Sequence, residues 1–238
     1  MNKLIILLIM LTMTLISGCN EKSNAQPIEK EQIEAVAPVA AIANTENTTM
    51  YKEGVHYAKV EGIVSEKDEV REYFSFYCPH CFRFEGFIDI LKKELPKNIA
   101  LEKNHVDFLA GASKKMQQGL TKALIVGQEL NMEAQASAAI FNYIHVSHAT
   151  PTSINDLRNI FVLMGVDGEK FDTLMNSEAV IKKAQQMQAN QNALAKSKGI
   201  TGVPAVIVNG KYRIINAGLD KNNFQQDYLK LIDYLVAL

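Results

Sequence analysis

The sequence predicts an α/β fold in which two halves of a sheet are separated along the chain by an all-helical insertion. Three observations predict it. An extended apolar run, Glu69 to Tyr77, passes into helical spacing at Phe84, Phe87, Ile88 and Leu91, and a second extended segment, Ile99 to Phe108, follows the break at Leu95-Pro96. The stretch 112–197 carries only helical patterns. Beyond it, Ala205–Val208 and Lys211–Ile215 flank Asn209-Gly210, a dipeptide suited to a type I′ turn, and so form a hairpin.

The chain begins with a positively charged Met1-Asn2-Lys3, an apolar stretch from Leu4 to Ile16 that is short for a membrane span, and small residues Ser17-Gly18 before Cys19. This reads as a secretion signal over 1–18. Ile16-Ser17-Gly18-Cys19 also resembles a bacterial lipobox, which implies lipidation of Cys19 and anchoring to a membrane by acyl chains. The alternative is a plain signal peptide that contains a cysteine. Residues 19–50, rich in Glu, Asn, Ala and Thr with Pro27 and Pro38, read as a flexible tether.

The folded domain is expected over 51–238. Tyr57–Val64 is a candidate edge strand and Glu69–Tyr77 a stronger one, in which alternation puts Val70, Glu72, Phe74 and Phe76 on one side and Arg71, Tyr73, Ser75 and Tyr77 on the other. Glu72 thus shares a face with apolar neighbours, where a charged carboxylate is costly. A helix from Cys78 to Glu94 and the segment 99–108 complete a βαβ unit. Within 112–197, helical spacing recurs at Met116-Leu120-Ala123-Leu124 and Ala139-Ile140-Tyr143-Ile144. Ser153 caps a helix over 154–164 that Gly165 ends, a short helix spans 169–175, and Ser177 caps a long one over 178–198 that Gly199 ends. After the hairpin, Phe224, Tyr228, Leu231, Ile232 and Leu235 mark an amphipathic helix that covers the sheet.

A composition of 47% hydrophobic and 21% charged residues is that of a globular chain, and a net charge of -1 supplies no basic footprint for nucleic acid. The chemistry is concentrated in Cys78-Pro79-His80-Cys81. A helix that starts there directs unpaired N–H groups and its positive dipole end at the first sulfur, which favours thiolate and makes Cys78 the candidate nucleophile. Pro79 suits the first helical turn, and Cys81, one turn on, reaches back to close a disulfide. Zinc binding, the alternative for such a pair, needs further ligands; there is no second Cys-x-x-Cys, and His56, His105, His145 and His148 form no evident partner pair. Neither a metal nor a separate cofactor is expected. Of the three cysteines only Cys19 lies outside the pair, so its lipidation would leave no odd thiol in an oxidising compartment. His105 reads as a satisfied core histidine, and His145 and His148 as residues of a helix end.

Through Phe74-Ser75-Phe76-Tyr77-Cys78-Pro79-His80-Cys81, Gly202-Val203-Pro204-Ala205 and Val208-Asn209-Gly210-Lys211-Tyr212, the chain resembles the thioredoxin superfamily and, within it, the DsbA-like thiol:disulfide oxidoreductases. The resemblance spans Tyr51 to Leu238 and is weakest in the helical insertion. It implies a thioredoxin-like mixed sheet, a cis-Pro204 packed against the disulfide, and Val203 offering backbone to an incoming peptide. It also implies a monomeric periplasmic oxidase that introduces disulfides into reduced exported polypeptides and is itself reoxidised by a quinone-linked membrane partner. His80 would add a donor or positive charge near the thiolate. Glu72, Glu85 and Lys103 match charged positions near the family disulfide, with proton transfer and mutual charge compensation as alternative roles. Ile214 to Gly218 carries no evident partner signature. Two other functions stay open: a disulfide isomerase or reductase on the same fold, and a peptide-binding chaperone or assembly factor with incidental thiols.

Overall fold

A computed structural model describes residues 50–238. The leader 1–18, Cys19 and the tether through Thr49 lie outside the described residues. Five strands form one mixed sheet in the order β1-β5-β4-β2-β3. β2 (Glu69–Phe74) runs parallel to β3 (Ala100–His105), with α1 (Pro79–Glu94) between them in the chain. Five helices follow: α2 (Lys114–Glu129), α3 (Glu133–His145), α4 (Ile154–Leu163), α5 (Gly168–Met175) and α6 (Glu178–Lys196). β4 (Ala205–Val208) then enters the middle of the sheet antiparallel to β2, β5 (Tyr212–Ile214) pairs with both β4 and the edge strand β1 (Tyr57–Lys59), and α7 (Phe224–Val236) ends the fold.

Three apolar cores follow from this order. Val70, Val206, Val208 and Ile214 pack under α1 and α7 against Ile88, Leu91, Tyr228, Leu231 and Leu235. On the opposite face Tyr73, Ala205 and Ile207 meet Leu194 and Ile200. The third core lies among α2–α6 and takes in Phe74, Phe76, Cys78 and Cys81 from the end of the sheet. The predicted alternation along 70–74 therefore holds, because Tyr73 packs on the face opposite Val70. Ahead of β1, Tyr51 is buried and its hydroxyl donates to Asp227 Oδ1 at 2.6 Å.

Three strands are shorter than alternation predicts. β1 stops at Lys59, although Val60 and Gly62 still donate to Lys211 and Gly210 as the chain passes the hairpin turn. β2 stops at Phe74 and β3 at His105, their last register pair, after which Ser75–Tyr77 turn into α1. The hairpin turn is as predicted: Asn209 and Gly210 have φ of 52° and 70°. A Cβ on Gly210 would sit 2.1 Å from the Ile63 carbonyl oxygen, so the close approach of that segment requires glycine as well. Ser153 forms a capping box with Asp156, Ser177 caps α6, and Gly165, at φ 88°, terminates α4. The end of α6 differs. Lys198 takes the left-handed conformation at φ 58°, while the Gly199 N–H closes onto the Leu194 carbonyl at 2.8 Å. Glycine is needed there for space, since a Cβ would press on Leu194 and Val60.

Candidate active site

The dithiol sits where the sheet ends and the helical core begins. Beyond Phe74 the backbone reverses: the Tyr77 N–H donates to Ser75 Oγ at 3.2 Å and the Cys78 N–H to the Ser75 carbonyl at 3.0 Å. His145 Nε2 lies 2.8 Å from the Phe76 carbonyl, an acceptor, so the imidazole N–H donates and ties the turn to the end of α3. Cys78 keeps extended dihedrals (φ −92°, ψ 110°) and occupies the N-cap of α1, with Pro79 in the first turn where no N–H is missed. Its sulfur accepts the Cys81 N–H at 3.1 Å, as an N-cap oxygen would.

Both cysteines are free thiols, Cys78 4% exposed and Cys81 fully buried. Burial pushes the Cys81 thiol well up, and the neighbouring Cys78 sulfur and the Glu72 charge act in the same direction. Pro79 and His80 are exposed. His80 Nδ1 faces an Arg83 guanidinium nitrogen at 2.8 Å; since arginine only donates, Nδ1 accepts and the ring proton resides on Nε2. The Val203-Pro204 bond is cis, and the Val203 carbonyl accepts from Cys78 Sγ at 3.4 Å. Residues 125 positions apart thus close one site.

Beneath the dithiol the parallel register sets Glu72 opposite Lys103. Lys103 Nζ reaches both Glu85 oxygens at 2.7 and 2.6 Å and lies 4.4 Å from the Phe74 ring centroid. It also stands 3.1 Å from Glu72 Oε2, an ion-pair distance, but out of line for a hydrogen bond, so both Glu72 oxygens are buried without one. Two carboxylates share one ammonium. Desolvation lifts Glu72 from 4.5 to about 7, with Lys103 opposing the rise. Glu85 is also raised by burial, against Lys103. Burial works against the charge of Lys103, but Glu72 and Glu85 outweigh it and hold the ammonium protonated.

His105 is buried, as its sequence context suggests, but only half satisfied. Thr121 Oγ1 donates to the Gln117 carbonyl and so accepts from His105 Nδ1 at 2.9 Å, while Nε2 is buried without a partner. Desolvation lowers its pKa to about 3. His148 is exposed. No group of three or more His, Cys, Asp or Glu side chains that could hold a metal ion is present among the described residues. Nor is any described helix long and apolar enough to cross a membrane.

Two neighbours of the site escape sequence reasoning. Arg83 stands three residues beyond His80 on the same helix, a spacing that signals contact. His145 has no such signal, because its partner Phe76 lies 69 residues away and only folding brings them together.

The chain is similar to known proteins. The DSBA-like thioredoxin domain model matches residues 69–230. The thiol:disulfide interchange protein DsbA of Escherichia coli is 33% identical over 200 residues, covering 82% of this chain and 92% of the relative. The protein of the same description from Salmonella typhi is 35% identical over 201 residues, covering 82% and 93%. Among solved structures, Proteus mirabilis DsbA with a non-covalently bound peptide, PWATCDS, superposes with a TM-score of 0.68 at 30% identity, covering 79% of this chain and 99% of that one. Pseudomonas aeruginosa DsbA gives 0.62 at 28%, covering 79% and 93%. A family match that runs from the first residue of β2 into α7, with a third of aligned positions identical to these relatives, makes the chain a member of the DsbA-like thioredoxin family.

Proposed function

We propose that the chain is a thiol:disulfide oxidase that introduces disulfides into exported polypeptides through a Cys78–Cys81 disulfide. The observation that carries the reading is the asymmetry of the pair. Cys78 caps a helix N-terminus beside Val203-Pro204, whereas Cys81 is sealed behind it. In the oxidised enzyme a substrate thiolate attacks Cys78 Sγ, the Cys78–Cys81 bond breaks, and Cys81 leaves and takes up a proton. A second substrate thiolate then attacks the substrate sulfur of the mixed disulfide. Cys78 departs as thiolate, received by the Cys81 N–H and the helix dipole. Two electrons pass to the enzyme, which is left as the dithiol, and no further cofactor takes part.

Pro79 fixes the first turn of α1, and Pro204 packs beside the pair with Val203 offering its backbone to the incoming chain. His80 supplies a donor near the departing thiolate. Glu72, Glu85 and Lys103 tune the pair through their shared charge, the buried Glu72 proton being exchangeable near neutral pH. The domain 51–238 works in the periplasm as a monomer, with 112–197 as its helical insertion. The leader 1–18 is removed, a lipidated Cys19 anchors the protein, and 19–50 is the tether. A quinone-linked membrane partner restores the disulfide.

Equilibration of the Cys78–Cys81 pair against a glutathione series tests the direction of the chemistry. An oxidase is found reduced in mixtures that keep most structural disulfides intact. An equilibrium near that of a reductant overturns the oxidase reading. In the same assay His80→Ala shifts the equilibrium toward a less oxidising disulfide, and an unchanged value removes His80 from the mechanism. A mature protein whose mass starts elsewhere than an acylated Cys19 rules out the anchor.

A further inference from the structure

Beside Val203-Pro204 lies a groove in which Arg213 is the one charged lining residue; Phe84, Thr201, Ile215 and Asn216 form much of the rest. The groove is open because β5 pairs with β4 only through Ile207↔Arg213 and Val208↔Tyr212. Past Ile214 the chain turns away, the Ile215 N–H donating to the His56 carbonyl. Ala205 and Val206 therefore have no partner from β5 on that edge, which leaves room for an extended polypeptide next to Cys78.

Arg213 is half-buried, and its Nε is sealed from solvent with no acceptor. It takes part in none of the ion pairs among the described residues. The guanidinium thus has no anionic partner of its own, and a carboxylate brought into the groove would supply one through a charge-assisted, often bidentate, bond. Carboxylates are the anionic groups that an ordinary polypeptide carries. We propose that Arg213 is a specificity-determining residue that selects reduced polypeptide segments with an aspartate or glutamate within a few residues of the reacting cysteine. This rests on the oxidoreductase reading, since it concerns the chain that reaches Cys78.

The peptide PWATCDS and its neutral counterpart PWATCNS serve as probes. The rates at which each reduces the oxidised protein are compared as a ratio, so that the active fraction of any sample cancels. Aspartate alters the peptide thiol itself, and that effect cancels between protein variants. The acidic-to-neutral ratio is expected to be about threefold to tenfold higher for the wild type than for Arg213→Gln. It falls further in Arg213→Glu, is partly kept in Arg213→Lys, and declines with added salt. One ratio common to the wild type, Arg213→Gln and Arg213→Glu overturns the proposal while leaving the oxidoreductase reading intact. Failure of both peptides to reduce the wild-type disulfide overturns both.

Discussion

Glu72→Gln should remove a pH dependence of stability that spans the neutral range. Glu72 is completely buried, and desolvation raises its carboxyl from 4.5 to about 7. Between these values the native protein holds a proton that the unfolded chain has released, so stability falls as pH rises. The contribution is full below 4.5 and is lost as pH climbs through about 7. At 1.36 kcal/mol per pH unit separating the two values, the loss is about 3 kcal/mol. Gln keeps the shape of the side chain and cannot ionise. Lys103 retains Glu85 at 2.6 Å, so the substitution strands no buried cation. The variant should therefore gain about 3 kcal/mol on the wild type between pH 4 and pH 8.5. Urea unfolding at a series of pH values, with a phosphine reductant holding both cysteines free, measures the difference and cancels the titrating groups that do not interact with Glu72. A difference that is constant across this range would refute the assignment of the buried proton to Glu72.

His105 carries the opposite sign. Its pKa is lowered from 6.5 to about 3 by burial, so its contribution is present above 6.5 and is lost as pH falls toward 3, a range worth about 5 kcal/mol. His105→Asn, which can still donate toward Thr121, should flatten the acid limb of the stability profile in the same unfolding assay. Phe141 is fully buried, with ring centroids 4.9 Å from Phe76 and 5.7 Å from Phe82. Phe141→Ala should cost about 3–5 kcal/mol in denaturant titration, and a loss below about 1 kcal/mol would show that these rings do not hold the dithiol segment. Gly210→Ala meets both a φ of 70° and the Ile63 carbonyl. A destabilisation of more than about 1 kcal/mol is expected from the thermal midpoint, and a neutral result would exclude the tight turn.

The features legible along the chain are local. Cys78 as a helix cap, Pro79 in the first turn, the Asn209-Gly210 hairpin, and the caps at Ser153 and Ser177 all depend on bonds between residues a few positions apart, so their spacing carries the information. The family resemblance added the pairing of the dithiol with Val203-Pro204, which residue spacing alone does not encode. Strand ends are not legible in the same way, since alternation continues to Tyr77 whereas the pairing of β2 with β3 stops at Phe74 and His105. Which charges are satisfied is a property of the folded molecule. Glu72 and Lys103 meet through a parallel register, yet their misalignment leaves both Glu72 oxygens without a hydrogen bond. His145 holds the turn before Cys78 from the far end of α3. Arg213 has the unremarkable sequence context of a hairpin strand, and folding leaves its Nε buried without an acceptor beside the stretch where β5 no longer pairs with β4. The physical reason is common to all three. Burial and partner choice are set by chain segments brought from far along the sequence, and the free energy of a polar group depends on what those segments supply.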